Sequence, residues 1–131
     1  MGFAVEKGAV NSYRDLRVWQ DAMALAVACY HLTQDFPKEG MFGMTTQIRR
    51  SAASIAANIA EGHGREQTRS FIHFLRIAQG SLKELETHLL LAQRVEVVHA
   101  AKMGQLLLDC DILGKMLRTY IRSLQRRDAE V

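Results

Sequence analysis

A chain of 131 residues has room for one core, since single domains commonly span about 100 to 200 residues. Apolar residues at 48% and charged residues at 24% exclude both a disordered chain and a membrane-embedded one. Seventeen Lys and Arg against fourteen Asp and Glu leave a net charge of +3 and a pI near 9.1, mild basicity that suits nucleic acid or acidic partners without the density of a dedicated basic tail.

Residues 1–12 hold Gly2 and Gly8 and show no apolar period, which predicts a flexible N-terminal arm. Glu6 and Lys7 interrupt the arm, which lacks the long apolar stretch of a secretory signal, so a cytoplasmic location is expected. From Leu16 the residues Trp19, Met23, Ala26 and Tyr30 recur at spacings of three and four, flanked by Val18, Ala22, Leu25, Cys29 and Leu32. This first helix must end at Phe36, because Pro37, the only proline, pushes the residue before it away from helical dihedrals. Gly40 and Gly43 belong to the connection that follows.

A second helix is predicted behind Thr45 or Thr46 as N-cap, with Ile48, Ala52, Ile55 and Ile59 on one face. A polar edge of Gln47, Arg50, Ser54, Asn58 and Glu61 follows the same rhythm, and Gly62 and Gly64 are expected to end the helix. The third helix, capped by Thr68 or Ser70, carries Phe71, Leu75, Ala78, Leu82, Leu85 and Leu89 to about Arg94. The fourth starts between Val97 and Ala101 and shows Met103, Leu106, Cys110, Leu113, Leu117, Tyr120, Ile121 and Leu124. Residues 126–131 read as a charged tail that frays, which leaves 13–125 as the folded body. Four amphipathic segments on short links imply an all-α fold, an antiparallel up-down-up-down four-helix bundle. The longest apolar run, Ala22–Tyr30, is less than half of the roughly twenty residues that a membrane span needs. Further apolar positions such as Val27, Ile112 and Met116 suggest a face for self-assembly.

No catalytic or metal motif emerges. A dinuclear metal site in a bundle needs Glu-x-x-His pairs, and Glu84 is followed at that spacing by Thr87, Glu86 by Leu89. His31, His63, His73 and His99 have no zinc-like spacing, and Ser54 has no histidine on its edge to serve as a base. Gly62-His63-Gly64 lacks the Lys-Ser or Lys-Thr of a phosphate loop and follows a helix rather than a strand. No enzyme activity, metal or cofactor is therefore expected. Cys29 and Cys110 lie 81 positions apart inside apolar runs and read as buried, reduced thiols.

Two polar features remain. A reversal near Gly64 brings Arg50 and Gln47 toward Gly80, Ser81 and Glu84, with Glu84 the first and Glu61 the second expected partner of Arg50. Buried, that edge is a network fixing helix register or a subunit contact; open, it is a ligand or nucleic-acid site. On the fourth helix Lys115, Arg118, Arg122 and Arg126 fall at spacings of three and four, with Arg127 beside them, while Arg69, Arg76 and Lys83 repeat at sevens on the third. Either stripe suits phosphate contact, and either also suits a solvated helix face.

Taken together, Phe36-Pro37, Gln47 through Arg50, Ser54, Asn58-Ile59-Ala60-Glu61-Gly62, Phe74-Leu75 and Gly80-Ser81-Leu82-Lys83-Glu84-Leu85-Glu86 resemble the four-helix-bundle family encoded by intervening sequences in bacterial 23S rRNA genes. The similarity covers most of 13–124 and departs at Arg94-Val95-Glu96-Val97, where the family often has a Leu-Gly-Tyr stretch. It implies a left-handed antiparallel bundle, a bacterial cytosolic setting and a pentameric ring, and it carries no enzymatic activity. The chain is also similar to the basic accessory protein of diversity-generating retroelements, a bundle that binds nucleic acid and a partner enzyme. Two functions stand side by side: a self-assembling bundle that binds RNA or DNA through a basic face, and a protein-interaction or structural oligomer with no nucleic-acid role.

Overall fold

The computed structural model describes residues 12–37 and 43–130; the expected arm up to Asn11 and part of the first connection lie outside the described residues. Ser12 opens a single 3-10 turn, Tyr13–Asp15, and its hydroxyl accepts the Arg14 N–H at 3.1 Å. Four helices follow, α1 Arg17–Gln34, α2 Met44–Gly64, α3 Thr68–Arg94 and α4 Ala100–Ala129, and no strand occurs among the described residues.

The helices form where the apolar period places them, but several ends are built differently from expectation. Helix α2 starts one residue before Thr45, behind Gly43 at φ 94, a left-handed conformation that glycine adopts without a steric penalty. Neither Thr68 nor Ser70 caps α3; Gln67 is the N-cap and contributes no side-chain hydrogen bond. Both Gly62 and Gly64 lie within α2, and the left-handed residue of the turn is Glu66 at φ 61. After α3 the left-handed residue is Glu96, where Glu96 N–H bonds Gln93 O and Val97 N–H bonds Ala92 O, the paired bonds of a Schellman stop made without glycine. Helix α4 continues past Gln125 to Ala129 instead of fraying. Asp128 holds Arg69 of α3 at 3.0 Å, and Arg126 and Arg127 complement the carbonyl end of the last turn.

Neighbouring helices run in opposite directions. Arg50 meets Glu84, Ser54 meets Ser81 and Gly62 meets Phe74, so positions fall along α2 as they rise along α3. Likewise Arg69 reaches Asp128 and Phe71 packs edge-on against Tyr120. Contacts join α1 to α2, α2 to α3, α3 to α4 and α4 back to α1, closing a four-sided bundle with diagonal helices apart. Inside lie Ile48, Ile55 and Ile59 from α2, Leu75, Leu82 and Leu85 from α3, and Met103, Leu113 and Leu117 from α4. Burial of such side chains stabilises by about 1.5–3 kcal/mol each relative to exposure, before the entropy of ordering them is counted.

Two contacts fix how the helices approach. A Cβ placed on Gly62 would lie 2.5 Å from Phe74 Cβ, so glycine lets α2 and α3 close up beside their turn. At the other end Arg49 Nε donates to Thr33 Oγ1 at 2.8 Å while its guanidinium lies 4.6 Å from the Tyr30 ring centroid. Thr33 in turn donates to the Cys29 carbonyl at 2.8 Å, so one arginine ties the last turns of α1 to the start of α2.

Candidate functional site

The polar edge of α2 forms a seam with α3. Arg50 Nη2 donates to Glu84 Oε2 at 2.9 Å and also to Gln47 Oε1, while His88 Nε2 stands 3.4 Å from the same Glu84 oxygen. Deeper in, the Ser54 and Ser81 hydroxyls share a hydrogen bond at 2.8 Å, and Asn58 Nδ2 donates to both the Ser54 carbonyl and its hydroxyl. Glu61 pairs instead with Arg65 at 3.0 Å, the C-cap residue just past the end of α2, and so stands outside the seam. Gly80 does not provide close approach: a Cβ there would meet nothing within 4 Å, and Ser81 is the residue that faces α2. No buried side-chain polar atom lacks a partner among the described residues. The serine pair and the arginine pair both cross from α2 to α3, so sliding one helix along the other by a turn would break them together.

The two basic stripes converge. Because Arg69 lies against Asp128 and Gly114 lies against Leu82, Arg76 of α3 is level with Arg122 of α4, and Lys83 with Lys115. Between them runs a groove of about 290 Å³ lined by Gln79, Gly80, Leu82 and Lys83 on one side and Gly114 and Arg118 on the other. Lys83 is paired with Glu86 at 3.0 Å, whereas Arg76, Lys115, Arg118 and Arg122 make no ion pair among the described residues. With about 100° of rotation per residue, Arg122 lies about 40° from Arg118 round α4 and Lys115 about 60°. Arg126 points further outward, and Arg127, about 180° from Arg118, falls on the side facing away from the groove. Asp111, seven residues before Arg118 and so on the same side of α4, ends the basic run. Tyr120 is buried against Phe71 and presents no ring to it.

The two thiols are buried and free, and burial pushes both up to about 12 from 9.0, with Glu86 a lesser cause at Cys110. A thiol so far from ionisation is no nucleophile. Among the described residues no group of three or more His, Cys, Asp or Glu is placed to hold a metal ion, and no helix is long and apolar enough to cross a membrane.

Sequence periodicity put each stripe on a helix but not the two stripes on one groove, because that depends on the register of α3 against α4. The Arg49 clamp also escaped a reading by stripes, although a lone arginine beside a polar edge was its one signal.

The sequence profile of the 23S rRNA-intervening sequence protein family matches residues 14–119. Among solved structures the chain is similar to a protein of unknown function from the S23 ribosomal protein family of Bacteroides thetaiotaomicron. The two share 30% identity with a TM-score of 0.75, over 80% of this chain and 95% of that one. No curated protein matches.

Proposed function

The chain belongs to the 23S rRNA-intervening sequence protein family, and from that premise we propose that it is a non-enzymatic bundle that holds the phosphate backbone of RNA or DNA along the α3–α4 groove. The observation that supports this reading is that Lys83 of α3 and Arg118 of α4 line one groove, with Arg76, Lys115 and Arg122 following on the same two stripes beside it, and that all but Lys83 have no carboxylate partner among the described residues. Leaving unpaired cations side by side costs free energy through like-charge repulsion, and an anion laid between them removes that cost. Gly80 and Gly114 line the groove and, having no side chains, leave room for a phosphate beside Lys83 and Arg118. With Tyr120 buried, no exposed ring in the groove reads a base, so binding follows charge and shape more than sequence.

The direct test compares Lys83→Ala/Arg118→Ala/Arg122→Ala with Arg127→Ala by fluorescence anisotropy of a labelled RNA hairpin. The triple variant should lose most affinity and Arg127→Ala almost none; equal affinity in all three proteins removes the groove from the account.

A second reading, association with further copies, is supported by the outer face of α4, where Leu108 and Ile112 are 52% and 47% exposed. The family resemblance makes a pentameric ring its form. Light scattering should then give a mass well above 14.8 kDa, and a single 14.8 kDa species at high protein concentration rejects it.

A further inference from the structure

A second groove, of about 520 Å³, lies between α1 and α2 on the side of the molecule away from the basic stripes. Its wall is the outer face of α1, where Trp19 stands edge-on to Tyr13 at 5.3 Å and Met23, Val27 and Tyr30 are 40%, 50% and 45% exposed. Its floor is made of small residues, Ala53, Ala57 and Ala60 of α2. Large side chains over an alanine floor make a slot rather than a flat patch. Uncovered, such a slot leaves apolar surface in water that a short apolar segment would remove.

We infer that the slot is covered by the chain's own N-terminal segment, residues 1–11, laid back along α1 of the same molecule. Three observations carry this. The segment joins the bundle at Ser12, next to Tyr13, which itself lines the slot, so the chain enters at the groove's own end. Phe3 and Val5, two positions apart, share one face of an extended chain and match the slot in chemistry, with Ala4, Ala9 and Val10 beside them and Glu6 and Lys7 cancelling in charge. The length suffices as well: eleven extended residues span up to about 36–40 Å, whereas Trp19 to Tyr30 covers about 17 Å of helix.

Trp19 is the only tryptophan and lines the slot, and both native cysteines are buried. Val5→Cys therefore gives one accessible thiol for a dansyl acceptor within reach of one donor. The expected result is efficient energy transfer from Trp19 that is unchanged when labelled chains are mixed in denaturant with a tenfold excess of unlabelled Trp19→Phe chains and refolded. Transfer that falls on this dilution shows that a second copy supplies the segment, and absence of transfer shows that the slot is left to another occupant; either overturns the inference. As a check free of label, Phe3→Ser/Val5→Ser in the full chain, with unchanged helical circular dichroism, should red-shift Trp19 emission and raise its quenching by acrylamide. Emission and quenching equal to those of the unmodified protein would refute a covering role for these two side chains.

Discussion

Gly62→Ala isolates the close approach of α2 and α3. In a helix interior alanine is favoured over glycine by about 1 kcal/mol, so propensity alone makes the substitution stabilising. Packing opposes it, because the new Cβ would sit 2.5 Å from Phe74 Cβ and 3.1 Å from a Phe71 ring carbon, against the roughly 3.5–4.0 Å of an ordinary carbon contact. Phe74 Cβ is fixed to its backbone, so no rotamer change relieves the clash and the helices must separate. Overpacking that moves backbone costs about 1–3 kcal/mol, and with no rotamer escape the upper end applies. The net effect is a loss of about 2 kcal/mol. At about 2.1 cal/mol/K of unfolding entropy per residue, a chain of 131 residues should melt about 7 °C lower. Gly80→Ala is the internal control, since its Cβ would meet nothing within 4 Å and only the propensity gain of up to about 1 kcal/mol remains. Thermal and urea denaturation followed by circular dichroism at one protein concentration measures both. Phe74→Ala should not rescue Gly62→Ala, since it leaves the offending Cβ in place. A Gly62→Ala protein as stable as the Gly80→Ala protein would refute the close-approach reasoning.

Arg49→Ala removes the hydrogen bond to Thr33 and the stacking on Tyr30, and urea melts should show a loss of about 1–2 kcal/mol. Arg50→Ala, whose pair with Glu84 is 60% and 40% exposed, should cost less than about 1 kcal/mol in the same assay. Ser54→Ala and Ser81→Ala should be non-additive, the double variant costing less than the sum of the two, because each single change strands part of one shared hydrogen bond. Burial raises the Cys29 and Cys110 thiols to about 12 from 9.0, so their contribution is fully present below pH 9 and is lost as the pH rises toward about 12. Stability measured across that window should decline, and Cys29→Ala/Cys110→Ala should decline less steeply.

Much of this molecule follows from period and punctuation. The α2 stripe Ile48, Ala52, Ile55 and Ile59 is wholly buried, since a repeat of three and four on a helix leaves one face apolar and the bundle offers only one interior. Arg50 lies with Glu84 because a short turn makes α2 and α3 antiparallel and fixes which levels meet. Glycine was less legible. Gly62 and Gly64 read as helix stops on composition, yet the chain turns at Glu66, and Gly62 is needed for its missing side chain rather than for its backbone freedom. Nothing local separates those two uses, since the second depends on Phe74 across the interface. The C-terminal residues 126–129 show the same limit: Arg126 and Arg127 read as a solvated tail until Asp128 is found against Arg69, fifty-nine positions away in sequence. The basic groove likewise depends on the α3–α4 register, which no stripe on a single helix encodes.

If phosphates lie along the α3–α4 groove, binding of the unmodified protein to a labelled RNA hairpin must weaken steeply with salt. Each cation that contacts a phosphate contributes about 0.7–0.9 to the slope of log affinity against log salt concentration. With Arg76, Lys83, Lys115, Arg118 and Arg122 engaged, the slope should be about −3.5 to −4.5, falling by about two to three in magnitude for Lys83→Ala/Arg118→Ala/Arg122→Ala. No binding at low salt, or a slope the triple variant leaves unchanged, would contradict the account.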